Sequence, residues 1–312
     1  MSYENTETME NPIQEDIKVE EELLQLKMVE EPTYENVFTE KAKKFAKDVG
    51  KIKVNKGNGI RRPNILLYGE AGSGKSVFAR QLHLSSQATD MPTSDFYRVN
   101  FSASNDVQDL VGQQMPMNDL ENKFISLRFQ EGSLYKAVDT GGMFLADEQN
   151  RALMEVLSRL FNLLDYSNEF EVPENAEVIP VHPNFWYIGT MNPVGKGYTT
   201  NQLDKALEQR FTIKYEFGFD DPIIDEENMI FNLLGKDKEF AERMMSWVHT
   251  VRKEGNDTVV SSREVSDICS MISNGIPIKE SLEYTLSSAY SPEKIKQMYS
   301  TALIKFRKVV LS

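Results

Sequence analysis

The chain has 312 residues, of which 40% are hydrophobic, and a formal net charge of −13 at pH 7. This length suits one large domain or a domain with a smaller companion. No run of about 18 apolar residues is present, the N-terminus lacks the apolar centre of a secretory signal, and the only cysteine, Cys269, excludes an internal disulfide. We therefore expect a cytoplasmic protein that does not enter a membrane.

The charge is unevenly distributed along the chain. Residues 1–31 contain ten acidic side chains against two lysines, a net charge of −8. Few large apolar side chains accompany them, so we expect residues 1–33 to form an acidic tail that is disordered or a lone helix. Residues 41–62 reverse the sign, with seven lysines, two arginines and one acid. This basic stretch has three open interpretations: a solvated helix face, a contact for nucleic-acid phosphates, or a docking site for the acidic tail.

Helix and strand patterns alternate through the first two thirds of the chain. The apolar periodicity predicts strands at 65–68, 96–101, 142–146 and 185–190, and helices at 36–49, 76–84 and 150–166. Apolar strands separated by helices favour a parallel sheet covered on both faces. After about residue 220 only helix patterns remain, at 225–234, 237–253, 262–274 and 292–310. We therefore predict an α/β domain over 34–219 and a small all-α lid domain over 220–312.

A glycine-rich loop follows the first apolar strand and precedes a helix. Its sequence fits G-x-x-x-x-G-K-[ST] at every fixed position. Glycines let successive backbone N–H groups curl around an anion, and the start of the helix adds its positive end. Lys75 is placed to reach the β and γ phosphates of a nucleotide, and the Ser76 hydroxyl to bind Mg²⁺. The predicted nucleotide-binding residues are Gly69, Glu70, Ala71, Gly72, Ser73, Gly74, Lys75, Ser76 and Val77.

Two acids end the buried strand that is predicted at 142–146. Asp147 and Glu148 follow Met-Phe-Leu-Ala, and the end of a buried parallel strand lies at the sheet edge where ligands bind. We expect Asp147 to hold Mg²⁺ through water, and Glu148 to orient or deprotonate the attacking water. The alternative is a pair of solvated carboxylates. The phosphate loop upstream favours the catalytic interpretation.

Several further segments resemble the AAA+ ATPases, most closely the MoxR and CbbQ-like branch that also includes dynein-related modules. The resemblance spans about residues 63–287 and rests on Asp-Glu-Gln-Asn-Arg-Ala at 147–152, Gly-Thr-Met-Asn-Pro at 189–193, Leu-Asp-Lys-Ala-Leu-Glu-Gln-Arg-Phe at 203–211 and Ser-Ser-Arg-Glu at 261–264. Residues 111–134 resemble a helix-2 insert, and 170–183 a hairpin before the sensor 1 strand. The fold implied is a P-loop AAA+ core followed by a helical lid.

The resemblance also implies roles for individual residues. Asn192 would be the sensor 1 residue, Arg210 the arginine finger that acts on a neighbouring subunit, and Arg263 the sensor 2 residue in the lid. Arg151 and Arg159 are rival finger candidates. Asn100, at the end of the second strand, matches a position that often restrains the catalytic glutamate.

The function implied is an ATPase that works with ATP and Mg²⁺ at the interfaces of a ring, a hexamer by the resemblance, and remodels a partner protein. Partners with a von Willebrand A domain are implied by the resemblance alone. Two alternatives stay open: a nucleic-acid-linked motor similar to McrB-type subunits, which use GTP, and a non-catalytic scaffold gated by nucleotide. Nucleic acid is the less favoured partner because few aromatic residues accompany the basic stretch.

Overall fold

The computed structural model describes residues 37–306, apart from short stretches at 57–58, 103, 105–106, 120–123, 166, 196–199, 220–223, 235–237 and 255–258. The described residues divide into two compact units, one made of 40–223 and the other of 37–39 with 224–306. The expected tail at 1–33 lies outside the described residues. The domain limits of 34–219 and 220–312 stay a prediction.

The first unit alternates strands and helices. Its strands are β1 Val54–Lys56, β2 Gly59–Arg61, β3 Ile65–Gly69, β4 Phe96–Asn100, β5 Gly112–Asp119, β6 Phe124–Glu131, β7 Met143–Asp147, β8 Glu169–Val172, β9 Glu177–Pro180, β10 Trp186–Met191 and β11 Ile213–Phe217. Its helices are α1 Glu40–Val49, α2 Lys75–Ser86, α3 Val107–Leu110, α4 Ser133–Thr140, α5 Met154–Leu164 and α6 Lys205–Glu208.

Five of these strands form one parallel sheet in the order β11-β3-β10-β7-β4. The order confirms the predicted parallel sheet and adds β11, which the sequence analysis did not assign. It also makes β3, β10 and β7 adjacent at the centre. Because parallel strands end at the same edge of a sheet, the segments that follow these three strands meet there.

Alternate residues of the central strands face two different layers. Leu66 of β3 belongs to a core cluster with Leu134 of α4 and Leu160 of α5. On the other face, Phe78 of α2 packs edge-on against Phe217 of β11, with ring centroids 5.6 Å apart. Both faces of the sheet are therefore covered, which explains why strand β7 is buried at every position.

Besides the antiparallel pair β1-β2, two hairpins of the first unit lie in segments that the resemblance singles out. Strands β5 and β6 pair antiparallel, with Gly112 opposite Glu131, inside the segment that the resemblance assigns to a helix-2 insert. Strands β8 and β9 pair antiparallel, with Glu169 opposite Pro180, just before β10. The second pairing agrees with the hairpin expected at 170–183.

The helix predicted at 150–166 is wrong at its start. The chain forms a 3-10 turn at Gln149–Arg151, then passes through Ala152 and Leu153 with ψ angles of 155° and 150°, and α5 begins only at Met154. The predicted direct continuation of helix through Leu153 is therefore overturned.

Long-range side-chain contacts explain this break. The buried amide of Asn150 donates to the carbonyl oxygens of Asn192 at 2.9 Å and Asn201 at 3.3 Å. The Tyr187 hydroxyl donates to Gln149 Oε1 at 2.9 Å. These bonds hold the 3-10 turn against the sheet edge, and helical propensity within the segment cannot anticipate them.

The second unit is helical, and this confirms the all-α character predicted for the C-terminal part. Its helices are α7 Glu226–Leu233, α8 Lys238–Glu254, α9 Ser262–Ser273, α10 Ile278–Leu286 and α11 Pro292–Phe306. An isolated bridge joins Phe38 to Ile224. A capping box at the start of α9 pairs Ser261 with Glu264, which satisfies backbone N–H groups that a helix start leaves free. None of the described helices combines the length and hydropathy that crossing a bilayer requires.

Candidate nucleotide site

The glycine-rich loop connects β3 to α2 and has a backbone that only glycine adopts easily. Gly69, Gly72 and Gly74 have φ angles of 139°, 75° and 91°. A Cβ at Gly69 would lie 2.0 Å from the carbonyl oxygen of Phe217 on the adjacent strand. Side chains at these positions would strain the backbone or collide with it. The loop therefore keeps a cradle of backbone N–H groups, which fits a phosphate chain.

Helix α2 adds a positive end to this cradle. It starts at Lys75, has no acidic residue in its first turn, and its N-cap residue Gly74 supplies no side-chain cap. The Lys75 ammonium donates to the carbonyl oxygens of Gly69 at 2.8 Å and Glu70 at 2.7 Å. The lysine thus folds back over its own loop, where its charge and the helix start favour an anion together.

Asp147 at the end of β7 joins the loop to strand β10. Its Oδ1 atom accepts hydrogen bonds from the Ser76 hydroxyl at 2.8 Å and from the Thr190 hydroxyl at 2.7 Å. The carboxylate is buried, at 4% exposure. A hydroxyl and a carboxylate in contact form an oxygen donor set of the kind that Mg²⁺ prefers. Ser76 and Asp147, the predicted metal residues, are therefore brought together.

Glu148 takes a strained position directly after this strand. Its φ and ψ angles are 54° and 39°, in the left-handed region that non-glycine residues seldom adopt. The backbone N–H donates to Thr190 Oγ1 at 2.8 Å, and Asn192 Nδ2 donates to Glu148 Oε1 at 3.0 Å. The other carboxylate oxygen lies 3.0 Å from Arg151 Nε. The side chain stays 27% exposed, so solvent reaches a carboxylate that is fixed in direction.

A buried polar frame supports this turn from behind. Burial raises the pKa of Tyr187 well above its ordinary value, so its hydroxyl keeps the proton that it donates to Gln149. The Gln149 amide in turn lies over Gly189, where a Cβ would come within 2.6 Å of it. Gly189 therefore leaves the space that the turn carrying Glu148 requires.

Comparison with known proteins finds a family model that matches this part of the chain. Residues 64–211 match the model of the AAA domain, dynein-related subfamily. The match covers just under half of the 312 residues and shows what this segment is similar to. The matched residues include β7 with the acids that end it, β10 with Asn192 just after it, the glycine-rich loop and Arg210.

Relatives extend the likeness beyond the AAA domain without naming an activity. Uncharacterized proteins of Staphylococcus aureus, from strains NCTC 8325, bovine RF122 and Mu50, are each 28% identical over 249 residues, covering 78% of this chain and 90% of the relative. A solved structure from Cytophaga hutchinsonii, described only as a candidate ATPase, covers 91% of this chain and 83% of its own at 16% identity, with a TM-score of 0.43.

Arg210, the predicted arginine finger, is engaged within its own chain. Its guanidinium donates to Asp165 Oδ2 at 2.8 Å and to the carbonyl oxygens of Phe161 and Ala206. It also lies 4.9 Å from the centroid of the Phe161 ring, and the side chain is 24% exposed. The structure therefore gives Arg210 a local anchoring role, and its predicted action on a neighbour stays a prediction.

The two alternative arginine-finger candidates have different ion-pair partners. Arg151 pairs with Glu148 in the same site, and Arg159 pairs with Glu174 at 2.8 Å. Asn100 ends β4 opposite Asp147 in the sheet register and is exposed. Outside the AAA domain, Arg263 is exposed in the first turn of α9.

The basic stretch at 41–62 separates into buried and exposed cations. Lys56, Arg61 and Arg62 are buried. Burial lowers the pKa of Arg62 to about 10, and its guanidinium lies 4.4 Å from the Trp186 ring while donating to the Gly50 carbonyl and the Thr89 hydroxyl. The buried cations are therefore part of the fold and lie out of reach of nucleic-acid phosphates.

Four lysines of the stretch line an open cavity of about 680 Å³: Lys43, Lys47, Lys51 and Lys53. Two of them are paired already, Lys43 with Glu40 and Lys53 with Asp90. Lys41 and Lys44 are exposed elsewhere on the stretch. The surface lysines are the part of the stretch that can contact an anionic partner.

The sequence analysis missed two residues of the site. Thr190 connects the two acids, since it accepts from the Glu148 backbone and donates to Asp147. Arg98 of β4 donates to Asp147 Oδ2 through Nε at 3.0 Å and Nη2 at 2.5 Å. The sequence signals that were available are the hydroxyl of Thr190 near the end of β10 and the arginine at position 98 near the end of β4.

Proposed function

We propose that this chain binds ATP with Mg²⁺ at the carboxyl edge of its sheet and hydrolyses it. The observation that supports this proposal best is the continuous set of contacts from Ser76 through Asp147 and Thr190 to Glu148 and Asn192. It joins a metal-binding pair to a directed carboxylate, beside a loop that is shaped for phosphates. The match of residues 64–211 to the AAA domain family also supports an ATPase.

Binding rests on the loop and on the two oxygen ligands. The backbone N–H groups of 69–76 and the Lys75 ammonium would hold the phosphates, with Val77 in the first turn of the helix behind them. Ser76 and Asp147 would hold Mg²⁺, which when bound neutralises negative charge on the phosphate oxygens. Lys75 would then exchange its two carbonyl partners for phosphate oxygens, a gain because charge-assisted bonds are the stronger ones.

Hydrolysis rests on Glu148. Its accessible carboxylate can accept a hydrogen bond from a water and take its proton as the γ-phosphate is attacked. Asn192 fixes one carboxylate oxygen at 3.0 Å and can release it when a γ-phosphate competes for its amide. The left-handed backbone at Glu148 is a strain of the kind that collects at functional sites.

We propose further that the protein acts as a ring, with six subunits as in the family it resembles, and that Arg210 reaches the nucleotide of the next subunit. For this, Arg210 must give up part of its contact with Asp165. A transferring phosphoryl group spreads charge over its oxygens, and a cation there can raise the rate by about 10³–10⁵-fold. Arg263 in the helical unit would contribute a second cation.

The work done by hydrolysis is proposed to be remodelling of a partner protein, as expected of a MoxR or CbbQ-like chaperone or activator. A von Willebrand A domain is the partner that this resemblance suggests. The uncharacterized relatives give no partner of their own.

A nucleic-acid-linked motor, with GTP as a possible substrate, is the second candidate. The four lysines that line the cavity beside α1 support it, while the burial of Arg61 and Arg62 weakens it. Salt-dependent binding of DNA would favour this candidate, and no binding at low salt would favour protein remodelling. A non-catalytic scaffold is the third candidate, and the intact set of Lys75, Asp147 and Glu148 opposes it.

Nucleotide titration of the Lys75→Ala variant tests the proposed site. We expect ATP affinity to fall by about tenfold or more, since a charge-assisted contact is worth about 1.5–3 kcal/mol. The exposed Lys238→Ala variant is the matched control and should bind as the wild type does. Parallel titration with GTP decides the base preference. Equal ATP affinity in Lys75→Ala and wild type would remove the loop from its role.

Mixed assemblies test the ring. Arg210→Ala subunits and Glu148→Gln subunits should each be inactive alone, yet mixing them should restore hydrolysis where an intact Arg210 meets an intact Glu148. Mixing Glu148→Gln with Lys75→Ala provides the matched control, which should stay inactive because neither subunit has both Lys75 and Glu148. No recovery at any ratio would contradict an Arg210 that acts on its neighbour.

A further inference from the structure

Asp147 also pairs with Arg98, a residue that the proposed chemistry does not use. Its Oδ1 atom is taken by the hydroxyls of Ser76 and Thr190, while its Oδ2 atom accepts both Nε and Nη2 of Arg98. The carboxylate side chain is 5% exposed, but that of Arg98 is 54% exposed. A buried metal-binding carboxylate is thus paired with a cation that solvent can reach.

The sheet register produces this contact. On strand β4, Asn100 lies opposite Asp147 and Arg98 lies opposite Leu145. Residues two apart share a face of a strand, so Arg98 and Asp147 are on the same face, two positions apart along neighbouring strands. Strand β4 is the last strand of the sheet, and only a long side chain can reach the carboxylate from Arg98.

Electrostatics makes the ion pair between Arg98 and Asp147 depend on whether a metal ion is bound. A buried carboxylate without a positive partner is costly, and the two hydroxyls satisfy only one of its oxygens. Arg98 supplies the missing charge. A divalent cation on the same carboxylate would supply a larger one, and two cations on one carboxylate repel each other. Because half of the Arg98 side chain is in solvent, it can leave at modest cost.

We propose that Arg98 is a positioning residue that competes with the metal ion for Asp147. It holds the carboxylate in place before metal and nucleotide bind, and it gives up Oδ2 when they do. Arg98 therefore lowers the affinity of the site for the divalent cation and ties metal release to re-formation of the ion pair. The inference rests on the proposed function, in which Asp147 faces the metal.

Titration with Mn²⁺, followed by electron paramagnetic resonance in the presence of a non-hydrolysable ATP analogue, tests the competition. We expect Arg98→Gln to bind Mn²⁺ more tightly than the wild type by about two- to fivefold, within the range that an ion pair of this exposure can supply. Arg98→Lys keeps a cation and should stay closer to the wild type. Arg80→Gln removes an exposed arginine from α2 and controls for the change in net charge.

Thermal unfolding separates this role from a purely structural one. Without metal, Arg98→Gln should unfold at a lower temperature than the wild type, and saturating Mg²⁺ with the ATP analogue should raise its midpoint by more than it raises the wild-type midpoint. Unchanged or weaker Mn²⁺ binding in a folded Arg98→Gln variant overturns the competition. If the wild type binds no Mn²⁺ with the analogue, the proposed function fails together with the inference.

Discussion

Two buried carboxylates of this protein are paired with arginines, and their surroundings differ. In the helical unit, Glu226 accepts from both terminal nitrogens of Arg252 at 2.7 and 2.8 Å, and the two side chains are 1% and 9% exposed. In the α/β unit, Asp147 shares its oxygens between two hydroxyls and Arg98, whose side chain is half in solvent.

The difference separates a pair that serves the fold from a pair that serves a site. Arg252 also donates to the Val260 carbonyl at 2.8 Å, so each of its three nitrogens has a partner and a ligand that displaced it would leave Glu226 unpaired. Arg98 can be exchanged for another cation without unpacking the sheet. A buried ion pair is therefore informative only together with the exposure of its cation.

Replacement of Glu148 by glutamine should have the largest effect in the α/β unit. Because the amide cannot take a proton from water, we expect ATP hydrolysis to fall by about 10²–10⁴-fold. ATP should still bind, because the loop and Asp147 are intact. Phosphate release together with calorimetric binding measures both quantities. Wild-type turnover in Glu148→Gln would remove this residue from its role.

Loss of the arginine of the helical unit should act on stability instead. Arg252→Met leaves the buried Glu226 without a partner, so we expect the free energy of unfolding to fall by about 3–5 kcal/mol. Denaturant unfolding followed by circular dichroism measures it. The double variant Arg252→Met with Glu226→Leu removes both charges and should recover much of the loss. A single-variant loss that the double variant does not reduce would contradict an unpaired charge as the cause.

Thr190→Val should have an intermediate effect, because this threonine joins the two acids of the site. Valine keeps the shape but leaves the Glu148 backbone N–H and one side of Asp147 without their hydroxyl. We expect a loss of about 1–3 kcal/mol in the free energy of unfolding, with slower hydrolysis. Thr190→Ser keeps the hydroxyl and is the matched control. Equal stability of the valine and serine variants would argue against the hydroxyl bridge.

The smallest expected effect concerns His83 of α2, which belongs to neither pair. Burial lowers the pKa of His83 below its ordinary value of 6.5, and the ring contacts the Thr93 hydroxyl at 2.8 Å. The unfolded chain therefore binds a proton at His83 more readily than the folded chain does. The stability contributed by the neutral imidazole is fully present above pH 6.5 and declines as the pH falls through the pKa of the folded chain. His83→Gln should flatten that part of the stability profile. An unchanged slope would show that other groups titrate there.

The central architecture could be predicted because its signals are local. The glycine loop, the apolar strand at 143–146 and the acids that follow it are contiguous patterns, and parallel strands bring such segments to one edge. Strand β11 escaped prediction although Ile213, Tyr215 and Phe217 alternate with charged residues, a pattern that itself indicates a half-buried strand.

Other features depend on contacts between residues that are far apart in the sequence. Arg98 is 49 residues from Asp147, and only the sheet register makes them neighbours. The break before α5 depends on Asn150 bonding to the backbone beyond β10. No pattern within the segment at 150–166 reveals that partner, so its apolar periodicity predicted a continuous helix.

Two matched variants, Asp147→Asn and Glu226→Gln, test most directly the distinction between the Arg98–Asp147 pair and the Arg252–Glu226 pair. The quantity to measure is ATP turnover per folded molecule. Each substitution removes one buried negative charge and keeps the shape of the side chain. We expect Asp147→Asn to lose Mg²⁺-dependent turnover, and Glu226→Gln to unfold more easily while each folded molecule keeps its turnover. Wild-type turnover in Asp147→Asn would contradict the assignment of Asp147 to the metal site.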